Sequence, residues 1–166
     1  MAEYDWSKFT KRISVKASVE KIYKAWATQD GLEDWFLRLA EFTTPDGSIR
    51  ERNDFTQKDD KYKWLWHGWS DETAEFGLII KANGKDLIQF SFAVTCTVTV
   101  TIKKELGETI VELTQENISL DESSKVKYHL GCTEGWTFYL ANLKSILEGG
   151  IDLRNKNAKL AQVVNA

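Results

Sequence analysis

One proline, one methionine, two histidines and two cysteines are all that 166 residues contain of those types, and each scarcity excludes a class of protein. Two cysteines, Cys96 and Cys132, cannot build a disulfide framework. In a reducing compartment both serve as small apolar groups. His67 and His129 stand far apart and, together with the cysteines, show none of the close ligand spacings of a zinc site. No acid–histidine–nucleophile pattern or glycine-rich phosphate loop is present either, so no metal and no cofactor are expected and catalysis has little to stand on. No apolar run approaches the roughly 20 residues that span a bilayer. The opening residues, Met1 to Lys8, have neither an apolar core nor a cleavage-site pattern. Membrane insertion is therefore not expected, and the cytoplasm is the expected location. A basic excess is also lacking. The 22 Lys and Arg residues are dispersed among 25 Asp and Glu, for a net charge of −3, which leaves no basic face for a nucleic-acid backbone.

Aromatic residues are abundant: seven Trp, eight Phe and five Tyr in a chain that is 42% hydrophobic and 28% charged. That balance is ordinary for a globular protein, and the length suits one domain over residues 1–166, with a core over about 9–154 and a frayed tail over about 155–166.

The elements read in order along the chain. Phe9, Lys11, Ile13 and Val15 alternate with Thr10, Arg12 and Ser14, a first strand. Ser18 caps a short helix carrying Val19, Ile22, Tyr23 and Trp26, and Asp30 is expected to cap a second that buries Leu32, Trp35 and Phe36. Leu39 to Thr43 reads as a weak strand before the turn Pro45-Asp46-Gly47. Residues 48–60 are charged and poorly patterned, expected to form a long mobile loop with a partial strand around Ile49 to Phe55. Strands follow at Tyr62 to Trp69, at Thr73 to Ala82 ending in the hairpin signal Asn83-Gly84, at Leu87 to Phe92, over the β-branched run Thr97 to Ile102, and at Thr109 to Asn117.

From about Glu122 to Glu148 the spacing predicts one long helix. Cys132, Trp136, Tyr139, Leu140, Leu143 and Leu147 recur three and four apart, Lys144 sits where a cation suits the helix dipole, and Gly149 or Gly150 can take the left-handed cap. The expected class is α+β: a seven-stranded antiparallel sheet wrapped around a long C-terminal helix, with two short helices after strand 1.

That order is the helix-grip order of Bet v 1-like and START-like proteins. Residues Ile13 to Trp26, Gly31 to Phe36, and Gly135-Trp136 followed by Leu140, Leu143 and Leu147 to Gly150 resemble the activator of heat-shock protein 90 ATPase homologue-like family, within the START-like (SRPBCC) superfamily. Tyr62 to Trp69 is similar to the aromatic third strand of its bacterial single-domain members. The resemblance covers about residues 9–154. It implies the fold more strongly than a function, because this architecture hosts cyclases, lipid carriers, receptors and co-chaperones alike.

A helix gripped by a curved sheet leaves room for an apolar cavity, so Trp35, Phe36, Trp64, Trp66, Phe90, Phe92, Val98, Gln115, Gly135, Trp136 and Tyr139 are the candidate ligand-binding residues. The same rings can simply fill the core. Gln115 is either a polar pocket group or a satisfied core amide. Gly131 and Gly135 clear side chains from one helix face, for a ligand or for close packing. Each histidine reads as a surface or capping residue. The expected function is non-catalytic binding of a small hydrophobic molecule or lipid by a monomer. The alternative is a protein-interaction module resembling a heat-shock ATPase co-chaperone, with a chaperone or other protein as partner and a docking patch that involves the 48–60 loop. A cyclase- or hydrolase-type enzyme is the least expected.

Overall fold

Alternation on the strands and three-and-four spacing on the helices give the seven expected strands, the two short helices and the C-terminal helix in the computed structural model, which describes residues 3–160, 163 and 164. The order is β1 (Phe9–Ser14), α1 (Val19–Ala27), α2 (Gln29–Trp35), β2 (Leu39–Thr43), β3 (Lys61–Leu65), β4 (Ala74–Ala82), β5 (Leu87–Phe92), β6 (Cys96–Glu105), β7 (Glu108–Glu116), α3 (Glu122–Ser124), a π-helical segment (Lys125–Leu130) and α4 (Gly131–Leu147). The strands form one seven-stranded sheet in the order β1-β7-β6-β5-β4-β3-β2. Every neighbouring pair is antiparallel; β2 to β7 follow one another across the sheet, and the one crossover is from β1 to β2, whose connection carries α1 and α2 from one edge of the sheet to the other. The period of two sends Ile88, Phe90, Val98, Val100, Val111 and Leu113 inward, where they pack under the two short helices and α4.

Capping accounts for the helix boundaries. Ser18 Oγ accepts the Lys21 N–H and starts α1. The cap of α2 is Thr28 rather than Asp30: its Oγ accepts the Gly31 N–H at 2.9 Å and donates to Lys24 O at 2.9 Å, so one buried hydroxyl ends α1 and opens α2. Asp30 lies inside the first turn and pairs with Arg52. Gly149, at φ +82°, supplies the left-handed conformation after α4.

Residues 48–60 are pinned instead of loose. The Arg50 guanidinium meets the Asp60 carboxylate at 2.6 and 2.8 Å. Asp60 is fully buried and also accepts from Thr56 Oγ1 and Gln57 N–H, while Thr56 N–H donates to Ala27 O. A buried carboxylate needs such partners, and here they bind the loop to the end of α1. The expected partial strand shrinks to one bridge, Ile49 to Thr43. The third strand ends at Leu65, and Trp66 to Trp69 leave the sheet.

The long C-terminal helix opens with a π-helical segment instead of running as one regular α-helix, with the Gly131 N–H bonded five residues back to Val126 O. Within it His129, expected near the surface, is buried. Its Nδ1 lies 3.0 Å from Trp6 O, an acceptor only, so Nδ1 carries the proton and Nε2, 2.8 Å from the Tyr4 hydroxyl, accepts from it. Cys132 and Leu147, counted on the apolar stripe, are half-buried at its edges.

After the glycine pair the chain docks as far as Arg154. Its guanidinium bonds the Asp152 carboxylate, Leu37 O and Asp34 O, and Asn142 bridges Trp35 O to the Leu153 N–H. Residues 156–160 are exposed without regular structure, and the rest of the expected frayed tail, apart from residues 163 and 164, lies outside the described residues.

Candidate functional site

Apolar rings gathered by the period of two pack either against each other or around a space, and both outcomes occur. Trp64 stacks on Tyr62 with centroids 3.9 Å apart and meets Phe90 edge-on at 5.1 Å; Trp35 packs on Trp26 at 4.6 Å and donates its Nε1–H to Ala25 O. Trp35, Trp64, Phe90 and Val98 are fully buried and belong to this closed core. Gln115 belongs there too. Its Oε1 accepts the Trp136 Nε1–H at 2.9 Å and its Nε2 reaches Tyr128 O at 3.3 Å, a carbonyl within the π-helical segment. It is a satisfied core amide that fixes the plane of the Trp136 ring.

The other expected residues surround an apolar pocket of about 160 Å³ at the mouth between helix and sheet: Phe36, Trp66, Phe92, Gly135, Trp136 and Tyr139, joined by Gly131 and Cys132. Phe36 is the hub, 4.8 Å from Tyr139, 5.1 Å from Trp136 and 5.9 Å from Trp66 between ring centroids. Phe92 closes the far side, 5.5 Å from Trp136. The floor is the helix backbone. A Cβ placed on Gly135 would meet nothing within 4 Å, so the glycine leaves a real space. The pocket's rings are among those named from the sequence, where nothing separates them from Trp35, Trp64 and Phe90, which have the same chemistry and phase.

The electrostatics of the pocket are those of a dry site. Burial pushes the Cys132 thiol up to about 11 and raises Cys96 and Tyr139 as well, so neither thiol is poised as a thiolate at neutral pH. Beside the pocket stands one acid that the sequence did not reveal. Glu75 occupies the inward phase of β4, where burial raises its carboxyl above the usual value against the opposing pull of the Ala93 N–H and Lys127. The signal was present in the pattern, since 75, 77 and 79 share a face, but Phe76 and Leu78 are the larger apolar residues and they face outward. Gly77 belongs to the inward set because the Tyr62 ring lies on it: a Cβ there would come within 2.4 Å of that ring. His67, just past Trp66, is depressed by burial and by the cations Arg154, Lys156 and Arg38.

Two further depressions are open and charge-lined. One, of about 500 Å³, lies among Lys21, Lys24, Asp30, Asp34 and Asn53; the other, of about 490 Å³, lies among Lys16, Lys104 and Glu108. Among the described residues no three His, Cys, Asp or Glu side chains form a group able to hold a metal, and no helix is long and apolar enough to cross a membrane.

The family model described as "Activator of Hsp90 ATPase homolog 1-like protein" matches residues 16–148. No curated protein matches the chain. Among solved structures, a Staphylococcus saprophyticus protein is similar at 18% identity and TM-score 0.67, over 89% of this chain and 96% of that one. The Aha1 dimer from Colwellia psychrerythraea is similar at 21% identity and TM-score 0.64, over 86% and 97%. A Mesorhizobium loti protein reaches TM-score 0.65 at 12% identity, over 85% and 96%. At these identities the likeness is one of fold.

Proposed function

Because the chain belongs to the Activator of Hsp90 ATPase homolog 1-like family, whose fold suits a ligand-binding or co-chaperone-like module, we propose that it is a non-catalytic carrier or sensor of a small apolar molecule, acting as a monomer in the cytoplasm. The observation that carries this reading is the 160 Å³ pocket floored by the bare backbone of Gly135 and walled by five aromatic rings. A dry cavity of about 150 Å³ holds one benzene ring. The part of the ligand seated in the pocket is therefore one aromatic ring or a short branched alkyl group. A ring burying about 200 Å² gains roughly 5 kcal/mol at about 25 cal/mol per Å², a dissociation constant of about 0.2 mM. The raised thiols and the lack of any unpaired acid–base pair among the lining residues support binding without chemistry. A monomer suffices because one chain supplies every wall.

The second reading is a protein-docking module. It is favoured by the closed half of the core and by Phe76, 68% exposed on the outer face of β4. Titration with toluene, indole, naphthalene, a fatty acid and a sterol, followed by amide chemical shifts and melting temperature, separates the two. Saturable shifts at Phe92, Cys132 and Gly135 with a raised melting point for the one-ring compounds are expected. Silence across the panel removes the pocket reading and leaves the docking module.

A further inference from the structure

Phe92 forms one wall of the pocket, and the chain leaves it through a turn of uncommon shape. Ala93 and Val94, the next two residues, have φ of +48° and +70°, the left-handed region that L side chains enter at a steric cost and a β-branched valine at a higher one. Packing does not repay that cost at Val94, which is 83% exposed. Strain of this kind persists only where the surroundings impose it. The turn is held by the Phe92–Cys96 pairing that closes the β5–β6 hairpin, by the Thr95 N–H bonded to Ala93 O, and by Glu75, whose Oε1 accepts the Ala93 N–H at 2.8 Å and ties the turn to β4.

The opposite wall is irregular as well. Gly131 and Cys132 follow the π-helical segment, and Lys127 within that segment is the cation facing Glu75. The other titratable groups whose charges meet Glu75 are Tyr62 on β3, Cys96 on β6 and Cys132 on α4. One half-buried carboxylate thus sees both irregular walls of the pocket.

We propose that Glu75 latches a gate on the pocket: bonded to the Ala93 N–H it holds the strained turn and keeps Phe92 against the ligand space, and once released it lets the turn relax and the pocket take a ligand of two rings. The inference rests on the pocket reading above. The Ala93 N–H pulls the Glu75 carboxyl down, so losing that bond while the side chain stays buried raises the carboxyl further, and acidification favours the open gate.

The test uses toluene and naphthalene as one-ring and two-ring probes on the full chain, with hydrogen exchange of the Ala93 to Thr95 amides. Glu75→Ala is expected to bind naphthalene about tenfold more tightly than the wild type at neutral pH and to exchange those amides about tenfold faster, the factor set by one charge-assisted hydrogen bond. Glu75→Gln, which keeps an uncharged acceptor and folds with the same shape, is expected to lose the pH dependence of naphthalene binding. Val94→Gly, unstrained at φ +70°, is expected to bind naphthalene more weakly than the wild type. Wild type that binds toluene, with selectivity and exchange unchanged in Glu75→Ala, overturns the latch and leaves the pocket standing. Wild type that binds neither probe overturns the pocket reading and the latch with it.

Discussion

Two regions of the same aromatic layer end differently. Around Trp26, Trp35, Trp64 and Phe90 the rings are fully buried against their neighbours; around Phe36, Trp66, Phe92, Trp136 and Tyr139 equally large rings line an open-mouthed space. Ring chemistry does not separate the two, and neither does strand phase. Two glycines do. Gly77 lies under the Tyr62 ring, which would strike a Cβ at 2.4 Å, whereas a Cβ on Gly135 would meet nothing within 4 Å. In the closed region a glycine admits a protein ring. In the open region it leaves room for a ring the chain does not provide.

The comparison can be broken most forcefully in the closed region. Trp64→Ala should lose about 3–5 kcal/mol in chemical denaturation, the usual cost of emptying a large, fully buried site. Phe92→Ala removes a half-buried ring beside existing space, and a loss of about 1–2 kcal/mol is expected with a pocket enlarged rather than a core collapsed. Gln115→Leu tests the support behind the open region. It leaves the Trp136 indole N–H buried without its acceptor, at a cost of about 1–3 kcal/mol, and weakens ligand binding because the ring loses its fixed plane.

A pair of alanines sharpens the contrast between the glycines. Gly135→Ala should stabilise the protein by up to about 1 kcal/mol, since it gains helix propensity without a clash, and should weaken toluene binding. Gly77→Ala should destabilise it, because the Tyr62 ring has to move; equal and same-signed melting shifts would erase the distinction. The smallest expected effect belongs to Glu75→Gln. A carboxyl with a raised folded value binds its proton more tightly in the native state than in the unfolded one, so wild-type stability falls as pH rises from the ordinary 4.5 through the raised value. The amide has no such titration. Glu75→Gln should be more stable than wild type at neutral pH by less than about 1 kcal/mol, with the two stability curves converging in acid.

Most of the fold is legible in the chain because it rests on local rules. The alternation of Val98, Val100 and Ile102, the Asn83-Gly84 turn and the Ser18 cap each need only neighbours in sequence. What failed to show needed the side chains in their folded places. Asp60 reads as a loop charge until Arg50 and Thr56 close on it, His129 reads as exposed until Tyr4 and Trp6 fold over it, and Glu75 is masked by the outward Phe76 and Leu78. The site was legible as a set of rings and not as a space. Volume is what remains after packing, and the choice between Trp64 in the core and Trp66 at the pocket depends on where β3 stops at Leu65.

The most direct test of the account is anomalous diffraction from a crystal soaked in bromobenzene. The account predicts one bromine peak enclosed by Phe36, Phe92 and Trp136 and within contact distance of the Gly135 backbone, about 4 Å. No peak there, or peaks only in the open charged grooves, would contradict it.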